Sequence, residues 1–593
     1  MNRLSRLLGA CDLNDVTSLR VLFHNNEGNA YDFDDIRVAC EETHRSTPGI
    51  VRFVISIPTD MLIRQKNIQG WGIVFADYAL RSFVRQIQTI AIDRFHVTKK
   101  EQYTGKIFIH EPNHKILRRN AACMSGEMLN ISLKIRFPLY MMQKRSVVNG
   151  KLSVRIVKRE LARAIRDFIT EFDSVECMER IAVYQRQCQI REMLLERGYV
   201  CFIANGSILP RQENSDEYMH NAVPFISPPE DEVSITFKDG TTLSGMAIRQ
   251  GVTVITGGGY SGKSTLLDAI LNGIYDHIPG DGREYCITKR SSCKIAAEDG
   301  RPVSSLDIAP FIRSMPGMDT SVFSTPQASG STSQAANIME SIAFGNDVLL
   351  IDEDRTATNF MIRDARMKVL IQNDPIVPFT DRVRQLYREA DVSTVLIIGG
   401  SGEYLDIADN VYFMENYLIH NLYEKKEQTR LHPYTYYDVK DDAPICWRQD
   451  RTLASGTLTA FTGNAEPGKY KEDMTINGKK LTVGDILTDI SRIESIVSAK
   501  QVNAIAWICL YLARNCAGRP INLFAEVKAV YTKIESEGLS FLLNSSIAVD
   551  DIMELPNLFD VLASISRMSP LVYQTHTKSA REPLKTGEKD EWF

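Results

Sequence analysis

The sequence predicts an α/β protein in which a domain of mixed strands and helices comes first and a mainly helical region comes last. Two observations support this prediction. A chain of 593 residues is too long for one compact core, so about two to four domains are expected. From Val233 to about Tyr423, strand-like runs alternate with helical runs, which is the pattern of a parallel sheet with crossover helices. We therefore place the α/β core at residues 226–423.

An α+β domain is predicted for residues 1–225. Strand-like runs occupy Val51–Ile57, Lys106–Ile109 and Asn130–Phe137, and two strongly helical stretches accompany them. Pro224–Glu232, with three prolines and three acidic residues, is typical of a linker into the next domain.

The most specific motif is GGGYSGKST, which matches the P-loop pattern and lies between a buried-strand run and a helix. In that context the backbone amides of the loop lie at a helix N-terminus and can bind phosphate. We predict that Lys263 binds the β- and γ-phosphates of ATP, that Ser264 ligates Mg²⁺ and that Thr265 reaches the α-phosphate. The residues predicted to bind the nucleotide are Gly257, Gly258, Gly259, Tyr260, Ser261, Gly262, Lys263, Ser264 and Thr265.

A pair of carboxylates follows the apolar run that begins at Asp347. Asp352 is predicted to hold Mg²⁺ through water, and Glu353 to polarise the attacking water. Phosphoryl transfer needs both, because its nucleophile must be aligned and its charge neutralised. A strand that ends in acidic residues is a weak signal alone, but after a P-loop it indicates an ATPase.

These motifs, in this order, resemble those of the ABC ATPases. Ser329, Gly330 and Ser331 lie where that family has its signature segment, at the start of a helix predicted over Gln334–Phe344. The resemblance implies that these three residues complete the ATP site of the opposite subunit of a homodimer. Hydrolysis would then depend on dimer formation.

Three further segments continue the resemblance. Thr356–Asn359 occupies the place of the family's D-loop, and Ala408–Met414 resembles its last core strand. Thr394–Ser401 corresponds to the switch strand but ends in Gly-Gly-Ser where the family usually has histidine. Ser401 is therefore the candidate for the residue that senses the γ-phosphate.

Longer sequence segments are similar to those of a narrower family within the ABC ATPases. CFIANGSILPR, HIPGDGRE and ATNFMIRD resemble an ABC-class ATPase family found mostly in bacteria, which includes a trypanosomatid mitochondrial member associated with the RNA-editing accessory machinery. The divergent termini, and Tyr260-Ser261 in place of the usual YHGKS wording, favour the trypanosomatid branch. The resemblance implies RNA as a ligand, a larger RNA-editing assembly as a partner and the mitochondrial matrix as the location.

Positive charge is concentrated before the P-loop. Between Arg81 and Arg166 there are 19 Lys or Arg against 5 Asp or Glu, although the whole chain has a net charge of −5. A helix predicted over Lys151–Phe168 has one apolar and one basic face, and such a stripe can follow a phosphate backbone. The candidate RNA-binding residues are Lys144, Arg145, Lys151, Arg155, Lys158, Arg159, Arg163 and Arg166. The alternative is an ordinary solvated helix face.

The last part of the chain is predicted to be a polar connector and helices at 424–573, with a mobile tail at 574–593. The clearest helical patterns are Val483–Ile493 and Val502–Asn515. The longest apolar stretch, 504–513, is too short to span a membrane. The eleven cysteines lack metal-site spacing, which indicates reduced thiols in an intracellular compartment.

Several functions remain open from the sequence. The missing switch histidine allows an architectural RNA-binding factor in which ATP only clamps the dimer. The soluble ATPase subunit of a transporter or of a DNA-repair assembly is another alternative, although transporter ATPases rarely carry a basic domain ahead of the P-loop. A P-loop kinase of small molecules would leave the segment at Ser329 without a role.

Overall fold

The computed structural model describes residues 2–24, 30–33, 35–42, 49–63, 70–90, 101–103, 105–213, 215–371, 373–422, 445–462, 474–543, 552–569 and 571–575. The chain divides into two compact units, residues 1–185 with 533–555 and residues 186–532 with 556–593. The sequence places the first domain border at 225, whereas this division falls after Gln185. Of the tail predicted at 574–593, residues 576–593 lie outside the described ranges.

The first unit contains an antiparallel sheet and helices packed against it. Its strands are β1 (Ala30–Phe33), β2 (Ile36–Glu42), β3 (Ile50–Pro58), β4 (Glu101–Tyr103), β5 (Lys106–Phe108), β6 (Lys115–Ile116), β7 (Ala122–Ser125), β8 (Met128–Arg136), β9 (Leu139–Met142) and β10 (Arg145–Val148). The helices of this part are α1 (Asn2–Ala10), α2 (Thr17–His24), α3 (Gly72–Gln88), α4 (Gly150–Arg155), α5 (Ala162–Thr170) and the first half of α6 (Ser174–Arg197), whose second half belongs to the second unit.

The main sheet of the first unit has the order β1-β2-β3-β8-β5, with β7 also paired to β8. Alternate residues of β3 are buried, as expected for a strand with one face against a core. The rings of Phe83 in α3 and Phe168 in α5 meet edge to face at 5.3 Å between centroids. The predicted strand runs correspond to β3, β5 and β8.

The second unit contains most of the chain. Its strands are β11 (Tyr199–Ala204), β12 (Glu232–Thr236), β13 (Thr242–Arg249), β14 (Val252–Gly257), β15 (Asp276–His277), β16 (Cys286–Thr288), β17 (Ser292–Ile295), β18 (Val303–Leu306), β19 (Phe323–Thr325), β20 (Val348–Asp352), β21 (Ser393–Ile398), β22 (Asn410–Glu415), β23 (Leu418–Asn421), β24 (Arg451–Leu453), β25 (Met474–Asn477), β26 (Lys480–Val483), β27 (Ile486–Asp489) and β28 (Tyr573–Thr575).

Nine helices of the described residues follow α6. They are α7 (Lys263–Asn272), α8 (Gly330–Phe344), α9 (Thr358–Met361), α10 (Ala365–Leu370), α11 (Phe379–Ala390), α12 (Tyr404–Ile407), α13 (Ala499–Cys516), α14 (Leu523–Glu537) and α15 (Leu558–Ser566). Within the described ranges, every helix is too short or too polar to cross a bilayer.

A six-stranded sheet in the order β17-β20-β21-β14-β22-β23 forms the centre of the second unit. Its first five strands are parallel, and β23 returns antiparallel to β22. The strands β14, β20 and β21 are buried along most of their length because helices cover both faces, as in other parallel sheets. The predicted α/β core is therefore confirmed.

The last region confirms one predicted helix and corrects another. Val502–Asn515 lies within α13, whose side chains are mostly buried. Val483–Ile493 is not a helix, because it contains the turn between β26 and β27. The apolar residues fit a helical spacing, but Gly484 has a φ of +58° and begins a two-residue hairpin loop. Along β27 burial alternates, and Leu487 is 73% exposed.

Candidate active site

The P-loop lies at the carboxyl end of β14, one of the two central strands of the six-stranded sheet. Gly257 has a φ of +146°, and a Cβ there would collide with the carbonyl oxygen of Met414 in β22. Gly262 has a φ of +100° and caps α7. A Cβ on Gly258 or Gly259 would have no neighbour within 4 Å. The loop is therefore tightly packed at its base and open at its middle, where phosphate oxygens would approach.

Lys263 turns back onto this loop. Its Nζ donates hydrogen bonds to the carbonyl oxygens of Gly257 at 2.8 Å and Gly258 at 2.7 Å. Ser261 Oγ donates to the Gly258 carbonyl at 2.9 Å, which closes the same turn. Ser264 is exposed and Thr265 is half-buried in the first turn of α7. The ammonium group of Lys263 is thus already above the loop, where it can exchange carbonyl oxygens for phosphate oxygens.

The two predicted carboxylates follow β20. Asp352 is buried and its Oδ1 accepts the backbone N–H of Asp354 at 3.2 Å. Glu353 Oε2 accepts the N–H groups of Gly399 at 2.6 Å and Gly400 at 3.0 Å, while its Oε1 accepts the hydroxyl of Ser401. The Gly-Gly-Ser sequence that replaces the expected histidine therefore holds Glu353 by three donors.

Sheet order explains why these residues meet. The strands β20, β21 and β14 are parallel neighbours, so their carboxyl ends lie along one edge. Glu353 follows the first, Gly399–Ser401 the second and the P-loop the third. Ligands of open α/β sheets bind at this edge.

The signature-like segment caps α8. Ser329 is the N-cap residue, and its Oγ lies 3.0 Å from Oγ1 of Thr332. Ser331 Oγ donates to Oδ1 of Asn359 at 2.7 Å, which joins α8 to the D-loop segment. Helix α8 begins at Gly330, four residues earlier than predicted.

Sequence reasoning missed the turn that follows β17. The N–H of Gly300 donates to the Ala328 carbonyl at 2.8 Å, and the N–H of Ala328 donates to the Arg301 carbonyl at 2.9 Å. A Cβ on Gly330 would lie 3.2 Å from Oδ1 of Asp299. The turn is thus paired with the segment that leads into α8. The sequence patterns could not identify this turn, because only the strand order of the folded sheet shows that β17 lies next to β20.

The donor set fits a magnesium nucleotide. Open loop amides, a lysine ammonium, one exposed hydroxyl at Ser264 and one carboxylate at Asp352 are the groups that hold a polyphosphate with its cation. Among the described residues, no three His, Cys, Asp or Glu side chains converge as ligands for a metal. Mg²⁺ is usually held by one or two carboxylates and by the phosphates themselves.

The predicted basic helix is present as α4, a π-helical segment at Ile156–Leu161, and α5. Its apolar side is buried at Ile156, Val157, Leu161, Ala164, Ile165 and Phe168, while Val154 is half-buried. All of the candidate RNA-binding side chains are exposed: Lys144, Arg145, Lys151, Arg155, Lys158, Arg159, Arg163 and Arg166. Two of them lie near acids, Arg155 at 3.7 Å from Glu160 and Arg163 at 3.1 Å from Asp167. The stripe keeps a surplus of positive charge.

Comparison with known proteins agrees with this geometry. Residues 173–449 match the family model of the ABC ATPase P-loop domain, and residues 475–574 match that of the MRB1590 C-terminal domain. Uncharacterized protein MJ1628 of Methanocaldococcus jannaschii is similar to this chain, with 31% identity over 264 residues. The match covers 40% of this chain and 58% of the relative. The chain therefore spans little more than half the length of this curated relative.

Proposed function

We propose, for a chain that contains an ABC-class P-loop domain and a C-terminal domain resembling that of MRB1590, that it hydrolyses MgATP between two subunits and binds RNA through its basic stripe. The observation that carries the ATPase proposal is the position of Glu353. Its carboxylate is held by Gly399, Gly400 and Ser401 at the sheet edge that also bears the P-loop.

Each residue at this edge has a role in the proposed reaction. The loop amides and Lys263 bind the phosphates, and Ser264 and Asp352 would hold Mg²⁺, which neutralises charge on the phosphate oxygens. Glu353 accepts a hydrogen bond from the attacking water and orients it. The amides of Gly399 and Gly400 fix the position of its carboxylate, because both donate hydrogen bonds to the same oxygen. Ser329 to Ser331 act on the opposite subunit's nucleotide.

Substitution of Glu353 by Gln tests the reaction. Phosphate release should fall by about two to four orders of magnitude, since general-base assistance has this size. Binding of ATP should persist. Asp354→Asn is the matched control, because it removes the same charge from the next, exposed side chain. The measurement is steady-state phosphate release beside equilibrium binding of ATP.

Two outcomes would change the proposal. Equal release from wild type and Glu353→Gln would place the chemistry elsewhere. Negligible phosphate release from wild type, with ATP still driving dimer formation, would favour the second candidate function. This is an RNA-binding factor in which ATP holds the dimer together without being hydrolysed. The absence of a switch histidine in Thr394–Ser401 is the observation that favours this second candidate.

The RNA proposal rests on charge and resemblance. Eight exposed Lys and Arg side chains share one helical segment and the preceding β9–β10 hairpin, and the surrounding sequence is strongly basic. Neutralising phosphates with such groups releases counterions and supplies most of non-specific affinity. The resemblance to the family with a mitochondrial RNA-editing member supports the same ligand, and with it a larger RNA-editing assembly and the mitochondrial matrix.

Binding of single-stranded RNA across a salt series tests this part. A variant with Arg155, Arg159 and Arg163 replaced by Ala should bind more weakly, and its dependence of log affinity on log salt should be shallower by about 2, since each phosphate contact contributes roughly 0.7. A control variant with Lys238, Arg388 and Lys480 replaced by Ala loses the same charge outside the stripe. Equal losses in both variants would contradict a specific basic surface.

A further inference from the structure

The turn between β22 and β23 contains an unusual tyrosine. Strand register pairs Glu415 with Leu418, so that Asn416 and Tyr417 form a two-residue hairpin loop. Both have positive φ values, +51° and +66°. Such loops favour Asn-Gly, because a side chain at the second position crowds the left-handed backbone. A tyrosine at this position is therefore a candidate for a ligand contact through its ring.

The ring lies beside the P-loop. Gly257 at the end of β14 is level with Met414 in β22, which places the following hairpin loop at the same sheet edge. A Cβ on Gly262 would lie 3.2 Å from Cδ1 of Tyr417 and 3.3 Å from Cε of Met414. Tyr417 nevertheless remains 58% exposed. One edge of its ring therefore lies next to Gly262, the residue that caps α7, and the rest is exposed and open to a ligand.

Sheet order indicates which end of a nucleotide lies there. The P-loop strand β14 has β21 on one side and β22 on the other. Glu353 is bound by Gly399–Ser401 after β21, so the γ-phosphate must lie toward β21 to meet its attacking water. The triphosphate crosses the loop, and its nucleoside end therefore leaves on the β22 side. That is the side of Tyr417.

We infer that Tyr417 is the platform on which the nucleobase of the bound nucleotide stacks. The inference rests on the proposed nucleotide site and adds to it a base-binding surface. Every base has a π face, so stacking accepts all nucleotides, and it favours purines because their rings are larger. ATP and GTP should therefore bind more tightly than CTP and UTP.

Tyr417→Gly is the decisive variant. It creates the Asn-Gly sequence that this loop favours, so the hairpin should form without the ring. Affinity for ATP should fall about tenfold, the scale of one lost stacking contact. Affinity for inorganic tripolyphosphate should stay the same, because that probe has no base. Tyr417→Phe keeps the ring and should bind ATP within about twofold of wild type.

Calorimetric titration of each protein with ATP, CTP and tripolyphosphate separates the outcomes. Equal ATP affinity in wild type and Tyr417→Gly, with tripolyphosphate bound by both, would overturn the platform and leave the P-loop site intact. A parallel tenfold loss for tripolyphosphate would also overturn it, since the ring would then only support the loop. Failure of wild type to bind either ligand would remove the nucleotide site and the platform together.

Discussion

Within the phosphate loop, glycines of the same motif differ in what surrounds them. Gly257 has a left-handed backbone and abuts the Met414 carbonyl, whereas Gly258 has open space around the position of a Cβ. A side chain at the first would force β22 away from β14, and a side chain at the second would project into solvent. The motif therefore combines one glycine required by packing with another required only by ligand approach.

Alanine at these two positions should separate packing from binding. Gly257→Ala should lower the free energy of unfolding by about 1–3 kcal/mol, the usual cost of overpacking. Gly258→Ala should unfold like wild type and lose ATP affinity only through crowding of the phosphates. Denaturant unfolding of both variants is the measurement, and equal stability of the two would contradict the close contact with Met414.

Ser401 should act as a positioning residue for Glu353. Ser401→Ala removes one of three donors to the carboxylate, so kcat should fall about tenfold with little change in KM, as for a lost hydrogen bond to a charged group. Ser401→Thr keeps the hydroxyl and should retain most of the rate. Phosphate release at saturating ATP distinguishes them. A rate unaffected by Ser401→Ala would assign the orientation of Glu353 to the two amides alone.

Among the elements, α15 supports α8, the helix that Ser329 caps. Arg567, at the end of α15, donates to both carboxylate oxygens of Glu298 at 2.5 and 2.9 Å and to Asn337 of α8 at 3.0 Å. Burial raises the pKa of Glu298 more than any single interaction lowers it. The charge and hydrogen bonds of Arg567, together with Arg301 and Asn337, nevertheless outweigh burial and hold this pKa below its ordinary value. The pair ties the C-terminal region to α8.

The same helix carries a buried carboxyl group, Asp560. Its Oδ1 accepts the hydroxyl of Ser495 at 2.5 Å, and Tyr275 lies at 3.4 Å from Oδ2. Burial raises the pKa of Asp560 to about 6, although Ser495, Lys479, Tyr275 and Arg567 oppose the shift. A raised pKa means that the folded state binds the proton more tightly than the unfolded chain. The associated stability is complete below about pH 4 and is lost as the pH rises through 6.

Asp560→Asn should remove this pH dependence. For wild type, the contribution of Asp560 should decline by about 2 kcal/mol between pH 4 and 7, since each pKa unit corresponds to about 1.4 kcal/mol and the carboxyl of the unfolded chain is already about half ionised at pH 4. The amide can accept from Ser495 and donate to Tyr275, so its fold should be retained. Thermal unfolding across this pH range should show Tm of the variant rising relative to wild type. Parallel profiles would contradict a protonated Asp560.

At the scale of the whole molecule, the proposed RNA binding belongs to the first unit and the proposed ATP hydrolysis to the second. Each proposed ATP site is shared by two subunits. One chain brings the P-loop, Asp352, Glu353 and Ser401 to a single sheet edge. Ser329, by contrast, makes its described contact within the first turn of α8, and Ser331 binds the D-loop segment. In the proposed dimer, each site takes these serines from the other chain.

Mixing two inactive variants tests that arrangement. Glu353→Gln and Ser329→Arg should each abolish turnover, the second by placing a bulky side chain at the shared site. In a mixed dimer one site has both defects and the other has none. Equal mixing should therefore restore up to about a quarter of wild-type phosphate release. Half of the dimers would be mixed, and each mixed dimer would have one intact site out of two. Two variants that remain inactive together would contradict action across subunits.

Much of the fold and of the candidate site could be predicted because these segments carry local patterns. The P-loop lies at a strand-to-helix junction with fixed glycine spacing, and the apolar run before Asp352 proved to be a buried strand. The helix over Val502–Asn515 was predictable from its length. The helix predicted over Val483–Ile493 was wrong because a short apolar run fits both the helical and the strand periodicity. Only Gly484, at the turn between β26 and β27, distinguishes the two.

The sequence by itself determined the phosphate motif, the carboxylate pair, the α/β core and the clustering of positive charge. Each depends on residues close together along the chain, whose spacing local backbone geometry makes meaningful. Only the tertiary structure decided that Gly399–Ser401 hold Glu353, that Arg567 reaches α8 and that Tyr417 lies beside Gly262. These contacts join distant segments. Strand order and helix packing create them, and no spacing within one segment encodes them.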